Sequence, residues 1–266
     1  MQHRAKKRLG QNFLVDEDII HRIIDCIHPE KNDSIIEIGP GLGALTKPIL
    51  TKVSHLDVIE FDRDIIPKLQ LNCAYSTDLT VHEMDVLKFD FTAFQSSLSN
   101  ENKIRVIGNL PYNISTPVLF HLLAHRHVIQ DMYFMLQKEV VDRITSSSGS
   151  KCYGRLSVMI QSYFNVTPLF LVPAHSFEPA PKVESAILKL QPIPHRADEI
   201  PDYGILEELV RTAFSQRRKT LKNTLKDFCT LEQLDEVGIN PAQRAETVPI
   251  ETFINLHNLL KAEKNT

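Results

Sequence analysis

Short apolar runs of strand length alternate with helical stretches over the first half of the chain. They lie near residues 34–39, 56–60, 78–83, 103–108 and 131–136. This alternation is typical of a parallel sheet covered by helices. Two further β-rich runs, residues 164–172 and 184–190, flank a proline-rich loop and are expected to close the sheet as an antiparallel pair. The sequence therefore predicts an α/β fold with a mostly parallel, seven-stranded sheet.

Beyond the sheet the chain becomes helical. Pro192, Pro194 and Pro201 mark a linker, and helical spacing continues from there to the end. At 266 residues the chain is long enough for one large domain and a small appendage. We therefore expect an α/β domain over residues 1–191 and a helical C-terminal domain over residues 192–266.

A glycine-rich turn follows the first predicted strand. Gly39 and Gly41 stand between this strand and a helical pattern, and glycines there permit positive φ and close approach of a ligand to the backbone. Glu60 ends the next strand, where a carboxylate can accept hydrogen bonds from both hydroxyls of a ribose. Asp85 follows the third strand and can accept from an adenine amino group. The pattern predicts a site for a nucleotide-like ligand.

The glycines alone leave two classes of cofactor open. Residues 39–44 read Gly-x-Gly-x-x-Ala, which also satisfies the loose dinucleotide fingerprint. Glu37 stands two residues before the first glycine, where it can organise the turn or meet an ammonium group of the ligand. No second mononucleotide-binding half is evident after Asn109, and nothing in the sequence suggests the hydride acceptor site that a nicotinamide enzyme needs. These observations favour S-adenosylmethionine over NAD.

The motif Asn-Leu-Pro-Tyr at residues 109–112 ends the fourth predicted strand. The Asn109 side-chain oxygen and the Leu110 carbonyl, which precedes a proline without an N–H, can both accept hydrogen bonds from an exocyclic amine. Tyr112 offers a ring face on which a flipped base can stack. Taken alone, the motif is equally consistent with a strand followed by an ordinary X-Pro turn. Together with the glycine turn upstream, it predicts chemistry on the N6 amine of adenine.

Further motifs extend along nearly the whole chain. They are Gly-Gln-Asn-Phe-Leu at residues 10–14, the glycine turn at 37–46, Glu-Phe-Asp-Arg-Asp at 60–64, Asp-Val-Leu at 85–87, Asn-Leu-Pro-Tyr-Asn-Ile-Ser at 109–115, Tyr-Gly-Arg-Leu-Ser-Val at 153–158, Phe-Glu-Pro-Ala-Pro-Lys-Val-Glu-Ser at 177–185 and Phe-Ser-Gln-Arg-Arg-Lys-Thr-Leu at 214–221. Together they resemble the ribosomal RNA adenine N6,N6-dimethyltransferase family, and within it the bacterial small-subunit branch.

The resemblance implies a fold, a reaction and a partner. The fold is a Rossmann-like, class I methyltransferase domain, and the cofactor is S-adenosylmethionine. The implied reaction places two methyl groups on N6 of each of two adjacent adenines near the 3′ end of 16S rRNA. The implied partner is the immature 30S subunit, late in its biogenesis.

The same resemblance implies roles for individual residues around the cofactor. The expected cofactor-binding residues are Asn12 and Leu14 at the methionine and sulfonium part, Gly39 and Gly41 in the turn, Glu60 at the ribose, Asp85 at the adenine, and Asn109.

A second set of implied roles concerns the target base. Asn109 and the Leu110 carbonyl hold the target amine, and the adenine stacks between Tyr112 and Phe177. A core position for Phe177 is the alternative, since buried aromatic residues are common. The neighbouring prolines at 173, 179 and 181 favour a loop position instead.

The net charge of −3 conceals clusters of basic residues. One lies at the N-terminus and the other is a window from Arg211 to Lys226; the residues are Arg4, Lys6, Lys7, Arg8, Arg211, Arg217, Arg218, Lys219, Lys222 and Lys226. Phe214, Leu221, Leu225 and Phe228 recur at helical spacing within the window, which predicts a basic amphipathic helix. Arg217, Arg218, Lys219 and Lys222 are therefore predicted to bind RNA phosphates. A solvated helix face is the alternative interpretation.

Other features concern metals, compartment and assembly. The scattered cysteines lack paired metal spacing and suit a reducing compartment. His121 and His125 share a helical face without a third ligand, so no metal is predicted. No apolar run approaches the length of a membrane span. We expect a cytoplasmic monomer.

Two alternative functions stay open. One is adenine N6-methylation at another rRNA site, such as the large-subunit sites whose methylation confers antibiotic resistance; the predicted basic C-terminal helix and the long loop that contains Phe177 favour the small-subunit type. The other is a ribosome-assembly factor whose RNA binding matters more than its catalysis.

Overall fold

The computed structural model describes residues 11–98, 102–200 and 203–264, and its main sheet has seven strands. The N-terminal basic residues Arg4 to Arg8, together with Gly10 and Pro201, lie outside the described residues. The strands of the sheet are β2 (Ser34–Ile38), β3 (Leu56–Glu60), β4 (Leu79–Glu83), β5 (Ile104–Asn109), β6 (Ile129–Gln137), β7 (Phe164–Val172) and β9 (Ser185–Pro192). A separate pair consists of β1 (Phe13–Leu14) and β8 (Phe177–Glu178).

The strand order of the main sheet is β4-β3-β2-β5-β6-β9-β7. Strands β2 to β6 pair in parallel, and β9 is antiparallel to β6. Residues such as Ile36, Val58 and Val106 are fully buried, because helices cover both faces of a parallel sheet. The predicted mostly parallel α/β fold is confirmed. The parallel strands also bring the residues at their carboxyl ends to one edge of the sheet.

Helices connect these strands. They are α1 (Glu17–Ile27), α2 (Thr46–Leu50), α3 (Ile66–Asn72), α4 (Phe91–Ser97), α5 (Ser115–Ala124) and α6 (Lys138–Ile144). Asp16 caps α1, since its side chain accepts a hydrogen bond from the Ile19 amide at 3.2 Å. The helix buries Ile20, Ile23 and Ile27 along one face. Within the described residues, no helix combines the length and the apolar character that crossing a membrane requires.

The small β1–β8 pair is absent from the sequence prediction. Phe13 pairs with Glu178 and Leu14 with Phe177, and the Val15 amide donates to the Ser176 carbonyl at 2.9 Å. Strands of two residues are too short to show a periodic pattern. The pair attaches the N-terminal segment to the chain that leads into β9.

The chain divides into two compact units. One comprises the described residues up to Val141 together with Thr167–Gln191, and the other comprises Asp142–Val166 with the described residues from Pro192 onward. The predicted first domain included residues 142–166, which the structure groups with the C-terminal unit. The reason is α7 (Arg155–Tyr163), which packs against two helices of that unit, α9 (Tyr203–Ala213) and α12 (Ile250–Lys264).

The second unit is helical and has its own core. Its other helices are α8 (Arg196–Glu199), α10 (Leu221–Thr224) and α11 (Leu231–Glu236). Leu206, Leu209 and Phe253 are fully buried in it. The Tyr153 hydroxyl donates to the Val248 carbonyl at 2.8 Å, and a guanidinium nitrogen of Arg155 lies 2.8 Å from Glu207.

The basic window is not one amphipathic helix, and that prediction is wrong. Helix α9 ends at Ala213, where the Ser215 hydroxyl donates to the Thr212 carbonyl at 2.7 Å. Residues 214–219 form turns, and α10 is only four residues long. The prediction failed because two short helices joined by a turn can bury apolar residues at the same sequence spacing as one long helix.

Candidate active site

A cavity of about 250 Å³ opens at the carboxyl ends of β2, β3 and β5 in the first unit. Its lining comes from the N-terminal segment, the turns after β2, β3 and β4, and the loop after β5. The predicted site residues that line it are Asn12, Leu14, Gly39, Gly41, Glu60, Asp85, Asn109, Leu110 and Tyr112. The structure thus brings together residues that lie far apart in the sequence.

The glycine turn after β2 adopts the conformation for which glycine is suited. Gly39 and Gly41 have φ values of +67° and +55°, which L side chains rarely adopt. A Cβ atom on Gly41 would lie 3.2 Å from the Phe13 ring. The turn therefore packs closely beneath the N-terminal segment, and the absence of a side chain at Gly41 permits this.

Glu37 lies at the end of β2 and is buried beside the cavity. Its side chain is 2% exposed, and the Thr46 hydroxyl donates to its carboxylate at 2.6 Å. Burial raises the pKa of Glu37 to about 7; the charge of Glu60 adds to this, and the hydrogen bond from Thr46 opposes it. The cavity wall therefore contains a carboxyl group whose pKa lies near neutral pH. Thr46 was not predicted, because its partner is fixed only by the turn between them.

Glu60 ends β3 and is held by the backbone that follows it. The Asp62 amide donates to its carboxylate at 2.7 Å. Burial raises the pKa of Glu60, and hydrogen bonds from nearby amides, that of Asp62 first, oppose this rise. The side chain of Asp62 in turn accepts from the Gln11 amide at 2.9 Å, which connects the N-terminal segment to this strand end.

Asp85 is the third acid of the cavity. One of its carboxylate oxygens accepts from the Leu87 amide at 3.0 Å and begins a 3₁₀ turn, Val86–Lys88. The side chain is partly exposed. The described lining holds these carboxyl groups from Glu37, Glu60 and Asp85 but no lysine, arginine or histidine. Such a cavity favours a cationic ligand and repels an anionic one.

Asn109 ends β5 and is oriented by the N-terminal segment. Its side-chain nitrogen donates to the Asn12 carbonyl at 3.1 Å. The Leu110 amide donates to the Met135 carbonyl at 3.2 Å, and Pro111 follows without an N–H. The Asn109 Oδ1 atom and the Leu110 carbonyl oxygen are the acceptors at this strand end.

Tyr112 is held at both ends. Its hydroxyl lies 2.8 Å from the Ser185 hydroxyl, and the Ser115 hydroxyl donates to its main-chain carbonyl at 3.2 Å. Burial raises the pKa of Tyr112, so the phenol stays neutral at physiological pH. Ser185 ends the motif at residues 177–185, but the sequence predicted no role for it.

Phe177 does not lie in a loop, as its neighbouring prolines had favoured. It lies in β8, is 4% exposed, and belongs to a hydrophobic core cluster with Leu14. The preference for a loop position was wrong, because pairing with β1 draws this residue into the core. Phe177 is not among the residues lining the cavity.

The predicted RNA-binding residues lie in the second unit. Arg217, Arg218, Lys219 and Lys222 are exposed. Arg217 faces Glu246 at 3.4 Å and donates to the Lys151 carbonyl at 3.3 Å. This part of the chain therefore presents several cations to solvent.

The histidines considered as metal ligands have other partners. A ring nitrogen of His121 lies 2.8 Å from the Phe89 carbonyl, and one of His125 lies 2.8 Å from the Thr92 hydroxyl. In the described ranges, no group of three or more histidine, cysteine or acidic side chains is arranged to hold a metal ion.

The fold and the cavity at its strand ends define a Rossmann-like methyltransferase. Residues 2–262 match the model of the family described as "Ribosomal RNA adenine dimethylase". The chain belongs to this family and is a methyltransferase that acts on adenines of ribosomal RNA.

Similar proteins cover nearly the whole chain. "Ribosomal RNA small subunit methyltransferase A" of Marinomonas sp. (strain MWYL1) is 49% identical, covering 96% of this chain and 95% of that protein. The protein of that name from Pseudomonas aeruginosa is 48% identical, covering 97% and 96%.

Solved structures support the fold. A dimethyladenosine transferase from Plasmodium falciparum superposes with a TM-score of 0.79 at 26% identity, covering 95% of this chain and 98% of that one. The 23S rRNA methyltransferase ErmE superposes with a TM-score of 0.71 at 22% identity, covering 94% of this chain and 100% of that one. This similarity shows a shared fold.

Proposed function

We propose that this enzyme transfers methyl groups from S-adenosylmethionine to N6 of two adjacent adenines near the 3′ end of 16S rRNA, dimethylating each, late in small-subunit biogenesis. The names of the relatives that are 49% and 48% identical support the small subunit as the target. The observation that carries the proposal is the orientation of the Asn109 amide. Its nitrogen is bonded to the Asn12 carbonyl, which leaves Oδ1 to accept from an amine.

The charge of the cavity supports the choice of cofactor. S-adenosylmethionine carries a sulfonium and an ammonium group, whereas the pyrophosphate of NAD would face Glu37, Glu60 and Asp85 without a cation in the described lining. When bound, S-adenosylmethionine supplies a methyl group on a positively charged sulfur. The proposed contacts are Asn12, Leu14 and Asn109 near the methionine part, Gly39 and Gly41 in the turn, Glu60 at the ribose, and Asp85 at the adenine.

The residues of the strand end act on the target amine by positioning it. The lone pair of N6 is delocalised into the adenine ring, which makes it a weak nucleophile. Hydrogen bonds from N6–H to Asn109 Oδ1 and to the Leu110 carbonyl favour a more pyramidal and more nucleophilic nitrogen. The methylated ammonium is acidic and releases its proton to water, so no protein nucleophile is required.

Two aromatic residues are proposed to hold the adenine ring. Tyr112 lines the cavity and offers one face for stacking. Phe177 is proposed as the second stacking residue. Because its ring is buried here, stacking on both faces requires the β1–β8 pair to shift when RNA binds.

The proposed partner is the immature 30S subunit, met by a monomer in the cytoplasm, where bacterial ribosomes assemble. Arg217, Arg218, Lys219 and Lys222 are proposed to contact rRNA phosphates, which supply sequence-independent affinity.

The test is mass spectrometry of small-subunit rRNA after incubation of the protein and S-adenosylmethionine with unmethylated immature 30S particles. Dimethyladenosine at two adjacent adenines near the 3′ end, absent with Asn109→Ala, is the expected result. Tight, salt-sensitive binding without methyl gain would indicate an assembly factor or another RNA substrate.

A further inference from the structure

The hydroxyl groups of Tyr112 and Ser185 lie 2.8 Å apart and connect two motifs that are distant in the sequence. Tyr112 belongs to the loop that follows β5, and Ser185 is the first residue of β9. Ser185 is fully buried and does not line the cavity, so its hydroxyl does not contact a ligand there. The bond instead connects the cavity wall to the sheet.

This bond restricts the orientation of the Tyr112 ring. The Tyr112 side chain rotates about two bonds, Cα–Cβ and Cβ–Cγ, and these rotations determine where the ring lies. Its backbone is held by the Ser115 hydroxyl at 3.2 Å and by the Ile114 amide, which donates to the Pro111 carbonyl at 3.1 Å. With the hydroxyl held as well, the direction of the long axis of the ring is fixed, and rotation about that axis is opposed by the preference of a phenol hydrogen bond for the plane of the ring.

Ser185 is itself fixed in place. It pairs with Gln137 of β6, and the Lys138 amide donates to the carbonyl of Glu184 at 3.0 Å. Ser185 also ends the loop that begins after Phe177 and Glu178. The rigid main sheet thereby supports both the Tyr112 ring and the end of this loop.

We propose that Ser185 is a positioning residue that fixes the long axis of the Tyr112 ring against the target adenine. The inference rests on the proposed function, in which Tyr112 stacks on the base. The second methyl transfer depends more on this support than the first. After one transfer N6 keeps a single N–H, so hydrogen bonds hold the base less firmly and ring stacking contributes more of its orientation.

The experiment measures single-turnover methylation of immature 30S particles with Ser185→Ala, Tyr112→Phe and the double variant, and resolves monomethyl- from dimethyladenosine. Each single variant is expected to lose about 3- to 10-fold in the rate of transfer, which corresponds to one neutral hydrogen bond. Monomethyladenosine should accumulate in each. The double variant should match the single variants, because either substitution already removes the bond.

A matched control separates positioning from general loss of packing. Ser162 is a fully buried serine of α7 whose hydroxyl has no hydrogen-bond partner among the described residues. Ser162→Ala should leave the ratio of the two products unchanged. Calorimetry should give Ser185→Ala an affinity for S-adenosylmethionine within about twofold of wild type, since Ser185 does not line the cavity.

The outcomes separate the inference from the function on which it rests. A wild-type protein that produces no dimethyladenosine contradicts the proposed function. A wild-type protein that does, with a Ser185→Ala variant of unchanged rate and product ratio, overturns only the role of Ser185. Additive losses in the double variant would also overturn it, because the two hydroxyls would then act independently.

Discussion

The side-chain nitrogen of Asn109 donates a hydrogen bond to the main-chain oxygen of Asn12 over 3.1 Å, although 97 positions separate the two residues. The acceptor is a backbone atom, so a substitution at residue 12 removes this hydrogen bond only if it moves the main chain. The N-terminal segment therefore determines which end of the Asn109 amide faces the cavity.

Asn109→Ala should reduce the rate of methyl transfer by about 100-fold or more, because it removes an acceptor aimed at the reacting amine. Asn109→Asp should also lose at least about tenfold, since its second oxygen would face the Asn12 carbonyl in place of a donor. Single-turnover transfer to immature 30S particles measures both, with thermal unfolding as the control for folding. An alanine variant that keeps more than a tenth of the wild-type rate would contradict this role.

Binding of S-adenosylmethionine should strengthen as pH rises through the pKa of Glu37, about 7. A cationic ligand favours the ionised carboxylate, so below pH 7 a proton has to leave before the ligand gains that interaction. The expected decrease in Kd between pH 6 and pH 8 is about tenfold. Calorimetry checks it, and any dependence that persists in Glu37→Gln belongs to the ligand or to Glu60, whose pKa is also raised. Equal pH profiles for the two proteins would contradict the prediction.

The same group should affect the stability of the ligand-free protein in the opposite sense. Its pKa of about 7 in the folded protein exceeds the ordinary glutamate value of about 4.3, so the folded state holds the proton more tightly. The contribution of Glu37 to stability is therefore fully present below about pH 4.3 and is lost as pH rises through 7, by an amount on the order of 3 kcal/mol. Glu37→Gln, which can still accept from Thr46, should unfold at a higher temperature than wild type at pH 8.

Gly41→Ala should weaken cofactor binding, whereas Gly238→Ala should not. Both residues have positive φ, +55° and +75°, so each substitution strains the backbone by about 1 kcal/mol. Only at Gly41 would the new Cβ meet another group, the Phe13 ring at 3.2 Å, while Gly238 has open space. Thermal unfolding should show a loss for both variants, larger for Gly41→Ala because of the added contact with Phe13, and calorimetry should show reduced affinity for Gly41→Ala alone.

Replacing Arg218, Lys219 and Lys222 together by alanine should weaken binding to immature 30S particles. Each lost phosphate contact should lower the slope of log affinity against log salt by about 1. Filter binding at several salt concentrations measures this. Lys103→Ala, at an exposed cation just before β5, is the control and should leave the slope unchanged.

The centre of the main sheet could be predicted from the sequence because strands β2, β3, β5 and β6 are largely buried on both faces and are rich in apolar residues. The cavity followed from it, since parallel strands place Gly39, Glu60 and Asn109 at one edge. The partners of these residues did not follow. Thr46 and Ser185 become partners of Glu37 and Tyr112 only through the packing of turns and strands in three dimensions.

Two predictions failed for different physical reasons. The helical spacing of Phe214, Leu221 and Leu225 is compatible with a turn between two short helices, and nothing local distinguishes the two arrangements. Phe177 lies among prolines, but its position is decided by pairing with Leu14, which is distant from it in the sequence. Long-range pairing of such short strands leaves no periodic signal.

Neither compact unit is a continuous stretch of chain, and this affects how the protein can be shortened. A fragment ending at residue 191 would retain α7 without α9 and α12, so the apolar face of that helix would be open to solvent. In a fragment beginning at residue 192, the core of the second unit would lack α7. During synthesis, too, residues 142–166 leave the ribosome before β9 is available to the sheet and well before their own helical partners.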